Sequence, residues 1–180
     1  LSTFVRNSSK PVVNLESALY HPLQGLADTA TWIDHLGSDL QQKSITLTWA
    51  PHPKSLPTAV ANQVLLSAAL QGMDITLAHP EEFSLPPFIV EQSKNIAESH
   101  GGSFRQSHGW QNYGNRVKEA ETRSQYHNWM IDGEKMARTK KAGFMHCLPV
   151  RRNVVVHDEV IDSPQSWTKQ TAGLRMWTAM

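Results

Sequence analysis

Apolar and polar positions along this chain alternate between two periods, and the changes of period mark out its elements. Leu23, Leu26, Ala27, Ala30, Ile33 and Leu36 fall on one side of a helix over roughly 23–36, with Gly37 as its stop. Lys43 introduces a strand, Ser44-Ile45-Thr46-Leu47-Thr48-Trp49-Ala50, which Pro51-His52-Pro53 cuts off. A second helix runs from about Thr58 to Gln71 and stops at Gly72. Met73-Asp74-Ile75-Thr76-Leu77-Ala78 is the next strand, ended by His79-Pro80. A third helix covers about 88–100 up to Gly101-Gly102, before a short strand at 103–106. Two further short extended runs are expected, a β-type stretch at 11–15 and a buried strand at 142–145. Strand–helix–strand alternation with short breaks predicts an α/β fold, a parallel sheet flanked by crossover helices.

Composition narrows the setting. The chain has 180 residues, 39% of them hydrophobic, with a mean hydropathy of −0.42, which suits a soluble globular protein. Its longest apolar run, near 64–70, is too short to span a bilayer. The start lacks a charged region followed by a long apolar one, so no signal peptide is expected, and Leu1 in place of methionine suggests a fragment. One cysteine cannot close an internal disulfide, which favours a cytoplasmic setting. A net charge of +1 and no basic stripe argue against nucleic acid as a partner. His100 and His108 straddle a Gly-Gly turn at a spacing unsuited to a metal, so no metal site is expected. His52 and His79 read as loop residues, and Trp32 and Trp49 as core or core-edge residues.

Candidate chemistry concentrates in 144–153, Phe-Met-His-Cys-Leu-Pro-Val-Arg-Arg-Asn. His146, Cys147 and Leu148 would lie at the C-terminal edge of the expected strand, where open α/β sheets place their ligands. Pro149 has no N–H for a ladder, and Arg151 and Arg152 offer forked donors for a carboxylate or phosphate. Arg152 can equally face solvent or pair with Asp158. Near the start, His21 and Gln24 lie one helical turn apart and can face one ligand together.

Three blocks give these residues a common context. They are Pro11-Val-Val-Asn-Leu-Glu-Ser with His21-Pro22-Leu23-Gln24 and Leu26-Ala27-Asp28; Leu47-Thr48-Trp49-Ala50-Pro51-His52-Pro53-Lys54 with Ala59-Val60-Ala61-Asn62 and Gly72-Met73-Asp74-Ile75; and His146-Cys147-Leu148-Pro149-Val150-Arg151-Arg152-Asn153 with Asp158 and Asp162-Ser163-Pro164. The chain thereby resembles the aspartate/ornithine carbamoyltransferase family, in the branch that carbamoylates N-acetyl- or N-succinylornithine. The resemblance implies two parallel α/β domains, trimeric assembly, no cofactor and no metal. It implies transfer of a carbamoyl group from carbamoyl phosphate to the δ-amine of an N-acylornithine, within arginine synthesis.

By that resemblance His21 and Gln24 contact the carbamoyl oxygen and amine, and the Leu148 carbonyl, following Cys147, accepts from the carbamoyl NH2. Cys147 is then a contact residue rather than a covalent nucleophile. Arg151 would hold the acceptor's α-carboxylate and Glu16 would make a polar contact to the acylornithine. Residues 1–36 would be the end of the carbamoyl phosphate domain and the interdomain helix, and 37–166 the acylornithine-binding domain. The absence of a Ser-Met-Gly loop and the Val150-Arg151-Arg152-Asn153 pattern favour the acylornithine branch over ornithine itself. The Val154-Val155-Val156 run favours succinyl over acetyl.

Departures from the family pattern are also visible. The phosphate loop of the Ser-x-Arg-Thr type is missing, about twenty residues are missing between His108 and Gly109, and Trp110 stands as the remnant of a Lys-x-Trp motif before a mobile loop at 113–123. Residues 167–180 read as an atypical tail. Codons for Trp167-Thr-Lys-Gln-Thr-Ala-Gly, read one base earlier, can encode Val-Asp-Glu-Ala-Asn-Ser-Arg, so a frameshift is expected to have cost a family helix and its arginine. These 180 residues are therefore expected not to turn over substrate by themselves. The alternatives are a non-catalytic acylornithine-binding domain and, less in keeping with the motifs, an ornithine carbamoyltransferase. A nucleotide-binding module is disfavoured, because neither Gly-x-Gly-x-x-Gly nor Gly-x-x-x-x-Gly-Lys-Ser/Thr occurs.

Overall fold

Alternation along one short strand organises the sheet. In the strand Asp74–Ala78, Ile75 and Leu77 are buried while Asp74, Thr76 and Ala78 stay partly accessible, the period of two that a pleated strand imposes. The computed structural model describes residues 2–49, 57–80, 83–107 and 129–178. Its elements are α1 (Ser2–Asn7), α2 (Pro22–Leu36), β1 (Ser44–Thr48), α3 (Ala59–Leu70), β2 (Asp74–Ala78), α4 (Pro87–Ser99), β3 (Phe104–Gln106), α5 (Gly133–Ala137), α6 (Asp158–Ile161) and α7 (Thr168–Thr178). The three strands form one parallel sheet in the order β1-β2-β3, with Ile45 opposite Ile75 and Ile75 opposite Phe104. The α/β class and the parallel sheet are therefore as the sequence predicts.

Ile75 and Leu77 meet Leu65, Ala68 and Ala69 of α3, Ile89 and Ala97 of α4, and Trp32 of α2 in the main core. Burying a side chain such as Leu65 or Ile89 contributes roughly 2 kcal/mol each. Trp49 packs against this core from its edge. His79 is fully buried beyond the end of β2, where its Nδ1 lies 2.8 Å from the Pro80 carbonyl and its ring stacks on Trp49. At Gly25, α2 approaches α3 so closely that a Cβ would sit 2.6 Å from Ser67 Oγ and 2.7 Å from Gln63, so any larger residue would displace those side chains. A second cluster, Val156, Val160 and Ile161, packs with Phe144 and Val150.

Four expectations need correction. The apolar side assigned to α2 is buried only in part: Ala27 is buried and Leu36 packs on the core, but Leu26 is 57% and Ile33 40% exposed, whereas Gln24, Asp28 and Thr31 are buried beside Trp32. The reason is α7, which covers the polar stripe. The 11–15 stretch forms no strand, and Val13 and Leu15 are exposed. Segment 142–145 is not a sheet strand either. Phe144 makes a single parallel bridge to Ser166, through Phe144 N–H to Gln165 O (2.7 Å) and Trp167 N–H to Phe144 O (2.9 Å). Its backbone groups are thus spent on the residues leading into α7.

The fourth correction concerns the tail, which is helical and integral rather than lost. Thr171 and Thr31 hydroxyls bond at 3.0 Å, Gln170 Nε2 donates to Asp34 Oδ2 at 2.8 Å, His35 stacks on Trp167 at 3.9 Å, and Thr178 donates to the Leu23 carbonyl at 3.2 Å. These contacts run α7 antiparallel to α2. Gly143 lies directly under the Trp167 ring, where a Cβ would approach to 2.2 Å. Among the described residues no helix is long and apolar enough to cross a membrane. His52, His108, Trp110 and 113–123 lie outside the described residues.

Candidate active site

Two stripes of side chains meet where α2 and α7 cross. His21, Gln24, Asp28 and Thr31 recur at i, i+3, i+7 and i+10 around α2 and its N-cap; Thr168, Thr171, Arg175 and Thr178 do the same on α7. His21 precedes Pro22, whose fixed φ starts the helix, and the His21 carbonyl accepts from the N–H groups of Gln24 and Gly25. Its ring is therefore held at the first turn of α2, 4% exposed.

Arg175 donates from Nη2 to His21 Nε2 at 2.9 Å. A guanidinium can only donate, so Nε2 must offer its lone pair and the neutral ring carries its proton on Nδ1. Burial, and then the Arg175 charge, lower the His21 pKa, against the opposing pull of Glu16, whose carboxylate is 3.7 Å from Nε2, and of the Leu15 and His21 carbonyls. Nδ1 is buried and, although those carbonyls pull on the ring, it has no partner within hydrogen-bond distance and angle. Gln24 presents the complementary vacancy. Its Nε2 donates to Asp28 Oδ1 at 2.8 Å, while its Oε1 is buried and unpartnered. One open donor and one open acceptor thus lie a helical turn apart, and each unmet group costs about 1–3 kcal/mol.

Asp28 is 5% exposed. Burial pushes its pKa up to about 6, although the Gln24 hydrogen bond and the Arg175 charge both pull it down. Sequence reasoning noted Asp28 only as part of a motif and assigned it no role. It missed Arg175 altogether, because the tail was read as displaced. The spacing of Thr168, Thr171 and Arg175 carried the signal, since it repeats the period of the α2 stripe.

The 146–153 loop forms the opposite wall. Cys147, Leu148 and Pro149 line a hollow of about 480 Å³ together with Ala172, Arg175 and Met176 of α7. Leu148 donates its N–H to His146 Nδ1 at 3.0 Å and sits at φ +49°, a left-handed conformation that disfavours a bulky residue and that functional loops often hold. The Leu148–Pro149 peptide is cis. Burial pushes the Cys147 thiol pKa up and the Asp28 and Glu16 charges add to this, so the group stays a neutral thiol. That fits a contact residue and disfavours a thiolate nucleophile.

Of the six residues singled out from sequence, His21, Cys147 and Leu148 adjoin Arg175, Gln24 lies one helical turn on from His21, and Glu16 lies beside His21. Arg151 stands apart from that contact, its side chain exposed and without a hydrogen bond or ion pair among the described residues. Arg152 is engaged elsewhere: it bonds Asp162 through both terminal nitrogens (2.6 and 2.7 Å) and Asp158 at 2.7 Å. Among the described residues no group of three or more His, Cys, Asp or Glu is placed to hold a metal ion.

Most of this chain is similar to known proteins. Residues 56–180 match the family model described as aspartate/ornithine carbamoyltransferase, Asp/Orn binding domain. N-acetylornithine carbamoyltransferase of Xanthomonas campestris is 39% identical over 91% of this chain and 54% of its own length. N-succinylornithine carbamoyltransferase of Bacteroides thetaiotaomicron is 37% identical over 92% of this chain and 52% of its own. A crystal structure of acetylornithine transcarbamylase complexed with acetylcitrulline superposes with a TM-score of 0.93, 36% identity, and coverage of 99% of this chain and 59% of that one. A point mutant of the N-acetyl-L-ornithine enzyme, complexed with carbamyl phosphate and N-succinyl-L-norvaline, gives 0.92 at 35% identity over 99% and 60%. The chain spans about half the length of the curated relatives it matches. Its matched domain and these relatives agree, and the chain belongs to the aspartate/ornithine carbamoyltransferase family.

Proposed function

We propose that this chain supplies the acceptor-binding part and several catalytic contacts of a carbamoyltransferase acting on carbamoyl phosphate and an N-acylornithine, with acylcitrulline and phosphate as products. The carrying observation is the pair of buried, unpartnered atoms, His21 Nδ1 and Gln24 Oε1. A donor and an acceptor one turn apart complement a group that has both a carbonyl oxygen and an NH2, which a carbamoyl group has.

The δ-amine attacks the carbamoyl carbon, forming the C–N bond. The carbonyl electrons move to oxygen, then return as the C–O bond to phosphate breaks and phosphate leaves with that pair. The amine proton is released to phosphate or water. His21 Nδ1–H donates to the developing oxyanion, and Gln24 Oε1 and the Leu148 carbonyl accept from the carbamoyl NH2. Arg175, beside His21, adds positive charge where negative charge grows. A preorganised donor of this kind contributes roughly 3 kcal/mol to the transition state. Arg151 holds the acceptor's α-carboxylate and Glu16 contacts the acyl-amino portion.

Residues 1–36 are assigned to the carbamoyl phosphate side and its connection, 37–166 to the acceptor domain, and Thr168–Thr178 to a helix that lies along α2. Residues Val154, Val155 and Val156 favour the succinyl acceptor, and the enzyme is expected to be a homotrimer. Acylcitrulline formation by the enzyme carrying this chain tests the reading, with N-succinyl- and N-acetylornithine supplied separately. Product from either acceptor that falls at least a hundredfold in His21→Ala supports it. No product from either, or full activity in His21→Ala, would overturn it.

A further inference from the structure

We propose that Asp28 is a positioning residue that fixes the orientation of the Gln24 amide, and that its ionisation decides which edge of that amide is offered to the ligand. This rests on the reading of Gln24 as a contact to the carbamoyl NH2. The two edges of a glutamine amide have similar shape and opposite hydrogen-bonding character, and its terminal torsion has two broad wells. Gln24 alone has little reason to choose between them. An ionised Asp28 can only accept, so it captures the Gln24 NH2, as the 2.8 Å contact shows, and leaves Oε1 open. A protonated Asp28 can donate to Oε1 instead. The amide then turns over and presents NH2 to the ligand's own NH2, where no hydrogen bond is possible.

The surroundings place this exchange at an accessible pH. Asp28 faces Gln24 on its own helix, the Arg175 guanidinium from α7 and the neutral Cys147 thiol from the 146–153 loop. The helix α3, which meets α2 at Gly25 through Gln63 and Ser67, carries no ionisable side chain. Burial raises the Asp28 pKa to about 6 against the pull of Arg175 and Gln24. Arg175 therefore has two effects: it sets the tautomer of His21 and keeps Asp28 ionised enough to orient Gln24.

The orientation can be read without turnover. In proton–nitrogen NMR spectra of the 180-residue chain, the Gln24 side-chain NH2 signals are expected to step between pH 5 and 7. The step should be absent in Asp28→Asn, which keeps the shape and loses the titration. A Gln24 amide that does not respond across that range, or a step that survives in Asp28→Asn, overturns the proposal. In the enzyme, a second measurement compares carbamoyl phosphate with acetyl phosphate, in which a methyl replaces NH2. Wild type should prefer carbamoyl phosphate, and Asp28→Asn should shrink that preference about tenfold and flatten the acid limb of kcat/KM near pH 6. Unchanged discrimination with a merely slower rate would mean a structural role and sink the proposal. An NMR step in a protein that forms no acylcitrulline would leave the positioning role standing and remove the proposed reaction.

Discussion

The Arg152 cluster and the α2–α7 stripe are both polar and lie near the same loop, yet they are built on opposite terms. Arg152, Asp158 and Asp162 are about half exposed, and the fork of the arginine is matched nitrogen by oxygen. Asn153 completes the cluster by bonding Asp158 through its side chain at 2.8 Å. Every group there has its partner, and the result is a loop held in place. His21, Gln24 and Asp28 are almost fully buried, yet two of their atoms are unmet and one carboxyl is pushed far from its ordinary pKa. Asn14, Asn62 and His157 also bury an unmet atom, but among the described residues only at His21 and Gln24 do an open donor and an open acceptor lie one turn apart, and that pairing points to a ligand that supplies both partners. The two arginines divide the roles: Arg152 is fully engaged by carboxylates, while Arg175 touches a neutral histidine and keeps its charge available.

Removing Arg175 should break the contrast most severely. Arg175→Ala takes away the charge beside His21, frees the imidazole to change tautomer and lets the Asp28 pKa climb further. Acylcitrulline kinetics should show kcat/KM falling roughly a thousandfold, at the upper end of what one oxyanion donor supplies. Arg175→Lys should recover only part, because an ammonium lacks the guanidinium's planar fork. His21→Ala follows, with a loss of several hundredfold. Its folded state should be little weakened, since the substitution also deletes an unmet buried donor.

The Asp28 carboxyl sharpens the comparison through stability. Its folded pKa, about 6, lies above the ordinary 3.8, so between those values the folded chain holds a proton that the unfolded chain has released. Stability from this group is full below about pH 4 and is lost as pH rises through 6, a change of about 3 kcal/mol. Asp28→Asn should therefore be the more stable protein at pH 7.5, by up to about 3 kcal/mol, and should lose most of that advantage at pH 4. Urea unfolding at the two pH values checks the sign. A variant that is less stable at pH 7.5 would show that the ionised carboxyl is not under strain.

Much of this was legible in the sequence where burial follows apolar period. Ile75 and Leu77, with the α3 and α4 residues that cover them, were readable because apolar alternation and the core coincide. Reading failed where a polar stripe is buried. Leu26 and Ile33 looked like the inner face of α2 because periodicity cannot register a partner helix carrying threonines and an arginine. The same blindness hid Arg175, whose importance lies in a contact to a residue 154 positions earlier. Segment 142–145 failed for another reason: its extended character was right, but which neighbour takes its hydrogen bonds is a long-range choice. His21, Gln24, Cys147 and Leu148 were found because local motifs marked them. Asp28, inside such a motif, needed the geometry of the Gln24 amide to acquire a role.

The smallest effect is expected at the satisfied cluster, and its smallness is what the comparison requires. Arg152 lowers the pKa values of Asp158 and Asp162, chiefly by hydrogen bonding to each. Depressed folded pKa values contribute stability above the unfolded value of about 3.8, and that contribution fades as pH falls through the folded values. Because the groups are well exposed, solvent and salt screen the cluster, and Arg152→Ala should lower the unfolding midpoint only modestly. The difference from wild type should be present at pH 7, shrink in high salt and largely vanish near pH 2. The chemical step should stay close to wild type, with any change confined to KM for the acceptor through a loosened Arg151. A loss of kcat approaching that of Arg175→Ala would mean that Arg152 reaches the reacting group, and the division between a holding arginine and a working one would fail.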